Sequence, residues 1–179
     1  MVPMMLLAAL CTTAETENDL LAFGCGGLVF ALGVFLRIWA QMHLHYRLKI
    51  RKTLTVTGPY ALVRNPIYLG NTLILAGACM LAELFWLVPI QIAYCAVVYT
   101  FTVRYEEDHL TEKYGDAYKE YVSLVPRWFP KGTAGLSVAE GSFGRYLSAS
   151  LLAEAHLLLL LVPFVVKELG IAWISHLHT

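Results

Sequence analysis

Long stretches without a single formal charge dominate this chain. Residues 20–36, 65–82 and 84–103 contain no Asp, Glu, Lys or Arg, and a fourth stretch, 146–166, is broken only by Glu154 and His156. The first three run to 17–20 residues, close to the ~20 that a helix needs to cross a hydrocarbon core ~30 Å thick. No strand pattern is longer than residues 53–57. The expected fold is therefore all-α: a polytopic transmembrane helix bundle of about four spans in one integral-membrane domain, residues 1–179. The apolar tail 169–179 and the opening MVPMMLLAALC are too short to span alone. The opening also lacks the basic flank of a cleaved signal peptide.

Charge orients the spans. Arg37, Arg47, Lys49, Arg51, Lys52 and Arg64 lie between the first and second with no acid among them, while Glu83 alone separates the second from the third. The positive-inside rule then puts residues 37–64 in the cytoplasm, and 104–145 on the same side. Lys+Arg and Asp+Glu both total 13, so a nucleic-acid partner bound through net basic charge is excluded. The cysteines, Cys11, Cys25, Cys79 and Cys95, form no CxxC pair and read as small buried hydrophobes.

Beyond the third span, Leu110, Tyr114, Tyr121 and Val125 recur at helical spacing, opposite Glu112, Lys113, Asp116 and Lys119. This predicts an amphipathic helix lying along the interface and ending before Pro126. Gly- and Ser-rich residues 131–145 read as a linker, followed by an extra C-terminal span and tail, 146–179. The glycines of GCGGLVFALG fall inside a span, where they let helices approach closely; they do not form a nucleotide loop. His43 and His45, like Glu106 and His109, have ligand-like spacing. A di-iron site needs more carboxylates than this, so no metal site is expected.

Two segments carry the chemistry. In TLTVTGPYALVRNPIYLG, residues 53–70, a Gly58-Pro59 turn leads through Tyr60 and Arg64 to Asn65-Pro66. That pair opens a helix whose free N–H groups attract an anion. The bland alternative is an interfacial anchor of Tyr60, Arg64 and Tyr68. Arg104, Glu106 and Glu107 form the second cluster, at membrane depth, where ionisable groups are costly and tend to be functional. The bland alternative is a solvated helix turn.

Together, GPYALVRNPIYLG and the later EEDHLTEKYGDAYKEYVSLVPRWFP resemble the integral-membrane methyltransferases, which include isoprenylcysteine carboxyl methyltransferase and phosphatidylethanolamine N-methyltransferase. The pattern G-x-Y-x-x-x-R-H-P-x-Y-x-G corresponds to Gly58, Tyr60, Arg64, Pro66, Tyr68 and Gly70, with Asn65 in place of the histidine. The E-E-x-x-L segment corresponds to Glu106, Glu107 and Leu110, followed by Gly115, Tyr118, Tyr121, Pro126 and Pro130. The resemblance covers residues 53–130, a methyltransferase-like core. It implies S-adenosyl-L-methionine as methyl donor, held by Lys52, Thr53, Leu54, Thr55, Tyr60, Asn65, Pro66, Ile67, Tyr68 and Glu106. It also implies a lipophilic or prenylated acceptor entering from the bilayer. A carboxylate acceptor of the isoprenylcysteine kind, held by Arg104, is the favoured reading, and an amine acceptor with Glu107 as base is the alternative. An NADPH-dependent sterol reductase and a non-catalytic membrane scaffold are the competing classes.

Overall fold

The computed structural model describes residues 19–45, 53–130 and 143–155, with isolated positions 162 and 166 beyond them. Five α-helices form: α1 (Asp19–His45), α2 (Pro66–Leu81), α3 (Leu87–Tyr114), α4 (Asp116–Leu124) and α5 (Phe143–Glu154), with a 3-10 turn at Gly58–Ala61. No strand occurs among the described residues. Two helices are long and apolar enough to cross a membrane, Phe23–Leu44 and Leu87–Tyr114, and Pro66–Leu81 is apolar but shorter. At 1.5 Å per residue its 16 residues reach about 24 Å, less than the ~30 Å core. Four spans are expected from sequence; of the fourth, 146–166, only residues 146–155, 162 and 166 are described, and most of the 131–145 linker, the opening and the tail lie outside the described residues.

Helices α1 and α2 run antiparallel and nearly touch. Gly26, Phe30, Gly33 and Arg37 share one face of α1, and Gly70, Ile74, Gly77 and Leu81 share one face of α2. These positions follow the i, i+4, i+7, i+11 spacing that keeps side chains on one stripe. A Cβ at Gly77 would lie 2.5 Å from the Phe30 nitrogen, one at Gly33 2.7 Å from the Ile74 nitrogen, and one at Gly70 2.8 Å from Arg37 Cγ. Small residues set this approach, as in membrane helix pairs generally. Gly24 and Gly27 have open space at their Cβ positions and take no part.

Three expectations need correction. The end of the charge-free block at Leu36 is not the end of the helix, because α1 continues to His45. Arg37 stays within the helix because its fork is satisfied: Nε and Nη2 donate to Glu154 of α5 at 3.0 and 2.9 Å, and Nη1 donates to Asn71 of α2. Similarly, α3 does not stop at Arg104 and restart as an interfacial helix. It runs unbroken to Tyr114, and the chain bends at Gly115, whose φ of 56° is in the left-handed region open to glycine. Only α4 is the separate polar helix. The expected stripe therefore folds on itself: Tyr118, Tyr121 and Val125 form a buried cluster against Leu110, Tyr114 and Leu54. Finally, Cys25 is exposed while Cys79 and Cys95 are buried.

The α2–α3 corner is a Schellman motif. Leu84 N–H donates to Cys79 O and Glu83 N–H to Met80 O, both at 2.9 Å, with Glu83 at φ 61° where glycine is usual. Leu84 closes the motif by packing with Ala78 and Phe30. This tight corner returns α3 alongside α2 and brings their polar ends together.

Candidate functional site

The site lies where the start of α2 meets the second half of α3. Asn65 caps α2 without a side-chain hydrogen bond to its N–H groups, and Pro66 takes the first position. The Asn65 amide points elsewhere, donating to Arg127 O at 3.4 Å. Early donors of a helix that no side chain caps retain their pull on a partner. Across from them, the Tyr68 hydroxyl donates to Glu106 Oε1 at 2.6 Å, tying α2 to α3. The Tyr68 ring also sits 4.8 Å from that of Tyr99, centroid to centroid.

The end of the second motif closes back on the first. Arg64 N–H donates to Pro126 O at 2.9 Å, and the Tyr121 hydroxyl donates to Tyr60 O at 2.7 Å. Arg127 forks onto Glu107, with Nε donating to Oε1 at 3.1 Å and Nη2 to Oε2, while Arg64 Nη1 stands 3.4 Å from the same carboxylate. Glu107 thus holds two arginines from two segments, and the fork gives it a fixed orientation. The bond to Glu107 holds the Arg127 guanidinium above its ordinary pKa. Burial, then the neighbouring Tyr121, pushes the Tyr60 hydroxyl well up, and burial followed by Tyr118 does the same at Tyr121. These phenols stay neutral, and that of Tyr121 keeps the proton it donates to Tyr60 O.

Two connected spaces open between these elements. The outer is a cavity of about 550 Å³, lined by Tyr60, Asn65, Pro66, Ile67, Tyr68 and Glu106. Leu44 of α1, Arg64, Tyr105, His109 and Leu110 complete its wall. The inner is a chamber of about 100 Å³ reaching Leu54, Thr55, Glu107 and Tyr114. The two share Leu44, Tyr60, Arg64, Asn65, Glu106 and Leu110.

Of the residues singled out from sequence, Leu54, Thr55, Tyr60, Asn65, Pro66, Ile67, Tyr68, Glu106 and Glu107 are thus brought to one place. Thr53 is exposed and lines neither space, and Lys52 lies outside the described residues. Arg104 is exposed and lines neither space, since α3 turns it away from the wall built by Glu106 and Leu110. Arg127 belongs to the ending of the second motif but has no site role in the sequence reading; an arginine 20 positions from Glu107 has no periodic signal. Leu44, at the far end of α1, was likewise missed, because the expected helix stopped too early. His43 is buried and its Nδ1 lies 3.1 Å from Thr57 Oγ1; its ring fills the space a Cβ at Gly58 (φ 61°) would need. Among the described residues, no three His, Cys, Asp or Glu side chains gather as metal ligands would.

Comparison with known proteins finds relatives of this chain. The chain is 29% identical over 119 residues to the nickel-cobalt-cadmium resistance protein NccN of Alcaligenes xylosoxydans xylosoxydans, covering 64% of this chain and 54% of that one. It is 27% identical over 130 residues to the cobalt-zinc-cadmium resistance protein CzcN of Cupriavidus metallidurans, covering 70% of this chain and 59% of that one. The matched region therefore spans little more than half the length of either relative. No solved structure matches. The phospholipid methyltransferase family matches residues 21–117, which run from α1 across the α2 helix start and the Tyr68–Glu106 bond to the Gly115 bend. The match takes in more than half of the chain, and the chain belongs to that family of membrane methyltransferases.

Proposed function

We propose that this chain transfers a methyl group from S-adenosyl-L-methionine to the amine headgroup of a membrane lipid, at a site facing the cytoplasm. One observation carries the reading: the Glu106 carboxylate, bonded to Tyr68, faces the uncapped start of α2 across a cavity of about 550 Å³. That volume is within the ~300–1,000 Å³ usual for small-molecule sites. A sulfonium suits a carboxylate and aromatic faces, here Glu106 with Tyr60, Tyr68 and Tyr105. When bound, the cofactor supplies an electrophilic methyl group, whose bond to sulfur breaks as the acceptor's lone pair forms the new bond.

The chain's own residues bind, align and exclude water. Holding donor and acceptor in line is worth about 7–11 kcal/mol when geometry is good. The headgroup amine, an ammonium near neutral pH, must first lose a proton to free that lone pair. Glu106 has one oxygen on Tyr68 and its second, Oε2, for that proton, and a positioned base typically contributes about 10²–10⁴-fold. Glu107, the base suggested by sequence, is committed to Arg127 and Arg64 and acts as a tether. A carboxylate acceptor fits less well: Arg104 is outside the cavity, and the charge of Arg64 is balanced by Glu107. The two relatives are named for resistance to nickel, cobalt, cadmium and zinc, and no metal site is carried over from them.

The test uses purified chain in lipid nanodiscs with methyl-labelled cofactor and a panel of phosphatidylethanolamine and prenylcysteine acceptors. Label in the amine lipid is expected. Label in prenylcysteine alone would return the acceptor to the carboxylate class. Binding of NADPH with no methyl transfer to any acceptor would overturn the methyltransferase reading.

A further inference from the structure

A third cleft, of about 410 Å³, opens at the end of α4 and has no part in the site above; Arg64 is its one residue in common with the other two spaces. Its wall combines Leu124, Trp128 and Phe129 with Ser123, Arg64 and Arg127. Two bonds to the start of α2 fix its depth. Arg64 N–H donates to Pro126 O at 2.9 Å, and the Asn65 amide donates to Arg127 O at 3.4 Å. Residues 126–127 therefore sit level with Pro66, where the charge-free helix α2 begins. For a helix that runs into a bilayer, that level is the headgroup layer.

At this level the chain presents apolar surface that its own fold does not use. Tyr118, Tyr121 and Val125 bury the inner face of α4. Leu124, by contrast, is 72% exposed and Phe129 80%, and Trp128 is half-buried beside them. Tryptophan and its apolar neighbours at the edge of a hydrocarbon core lie among lipid headgroups. Charge then selects the lipid. Arg64 and Arg127 bring two positive charges, and Glu107, the carboxylate that both face, brings one negative charge. Arg127 spends Nε and Nη2 on that carboxylate, while its Nη1 makes no hydrogen bond among the described residues. One positive charge in excess, on a guanidinium edge with apolar walls beside it, suits a phosphodiester that carries acyl chains. A zwitterionic headgroup would bring its own ammonium against the same arginines, and an anionic headgroup brings none.

We propose that this cleft is a docking site for an anionic phospholipid, separate from the site of methyl transfer. Arg127 takes the phosphate, and Leu124, Trp128 and Phe129 lie against the glycerol and the first carbons of its chains. Through Arg127 the bound lipid also pins the segment that holds Glu107. A chain that methylated nothing would still carry this site.

Trp128 reports the contact directly. The full chain, with Trp39, Trp86 and Trp173 changed to phenylalanine, is placed in phosphatidylcholine nanodiscs. A minor fraction of the lipid is then chain-brominated phosphatidylglycerol or, in parallel, the same fraction of brominated phosphatidylcholine. The anionic lipid should quench Trp128 with about fivefold higher apparent affinity, as one net positive charge at a headgroup layer implies. Arg127→Gln should abolish that preference, and Arg104→Gln, a charge outside the cleft, should keep it. Because Arg127 also ties Glu107, Phe129→Ser is the second variant: it leaves the tether intact and should weaken the anionic lipid at least about twofold. Quenching by neither lipid, or by both alike, overturns the proposal. So does an unchanged anionic affinity in either cleft variant, or a loss in Arg104→Gln equal to that in Arg127→Gln, which would mean general surface charge. Millimolar inorganic phosphate should leave the brominated lipid in place; displacement by it would assign the arginines to a free anion and overturn the lipid site.

Discussion

The α1–α2 pair and the polar end built by the 53–65 loop, α3 and α4 are held together in opposite ways. In the first, backbones approach until glycine alone fits, and the contacts are apolar and non-directional. The exception is Arg37, whose stem lies over Gly70 and whose fork joins Asn71 and Glu154. In the second region nearly every tie is directional: Tyr121 to Tyr60, Arg127 and Arg64 to Glu107, Tyr68 to Glu106. Close packing gives rigidity without specifying chemistry. Directional ties fix individual atoms and so specify chemistry.

The comparison breaks most sharply at the ion pair. Glu154 is 3% exposed, so Glu154→Ala leaves the Arg37 charge at membrane depth and should cost about 3–5 kcal/mol. Arg37→Met combined with Glu154→Leu should recover most of that loss; thermal unfolding in a mild detergent reads both. Next comes Gly77→Ala, where the added carbon meets the Phe30 backbone. It should destabilise by about 1–3 kcal/mol in the same assay, yet leave cofactor affinity unchanged in the fraction that stays folded. On the polar side the effects invert. Glu106→Gln should leave the melting temperature near the parent's but weaken S-adenosylhomocysteine about 10-fold or more, as loss of a charge-assisted contact implies. Unchanged affinity would remove Glu106 from the site. Arg104→Ala should change acceptor KM by less than about twofold, since the residue faces away from the cavity; a large rise would restore it as the acceptor's anchor.

The smallest effect is visible only in alkali. Tyr60, Tyr118 and Tyr121 all resist ionisation, chiefly through burial, and their pKa values rise above the ordinary 10.0. Below that value both folded and unfolded chains keep these phenols protonated, and stability does not depend on them. Above it the unfolded chain releases protons that the folded chain retains, so stability falls as pH rises. Melting curves between pH 9 and 11, compared with those of Tyr118→Phe, should show the variant losing less.

Much of this molecule can be read from one-dimensional patterns. Missing charges reveal apolar helices because burial in lipid forbids unpaired charge, and that rule acts on each segment by itself. The Asn65-Pro66 helix start is likewise a local matter of backbone freedom, whereas the bend at Gly115 divides the stripe that helical spacing predicts through Leu110 and Tyr121 between two helices. Pairing is different. Arg37 reads in sequence as the end of a span and proves to be inside one, because its charge is cancelled by Glu154, 117 positions away. Glu107 reads as a base in sequence, and in the folded chain its carboxylate is paired with Arg127 and Arg64, because Arg127 returns to it past the Gly115 bend. Arg104 shares a charged cluster with Glu106, yet positions two apart on a helix point about 200° from one another, so the helix sends the two side chains to different sides. Which charges are spent on one another, and which polar atoms remain for a ligand, depends on distances between segments that only the folded chain brings within reach.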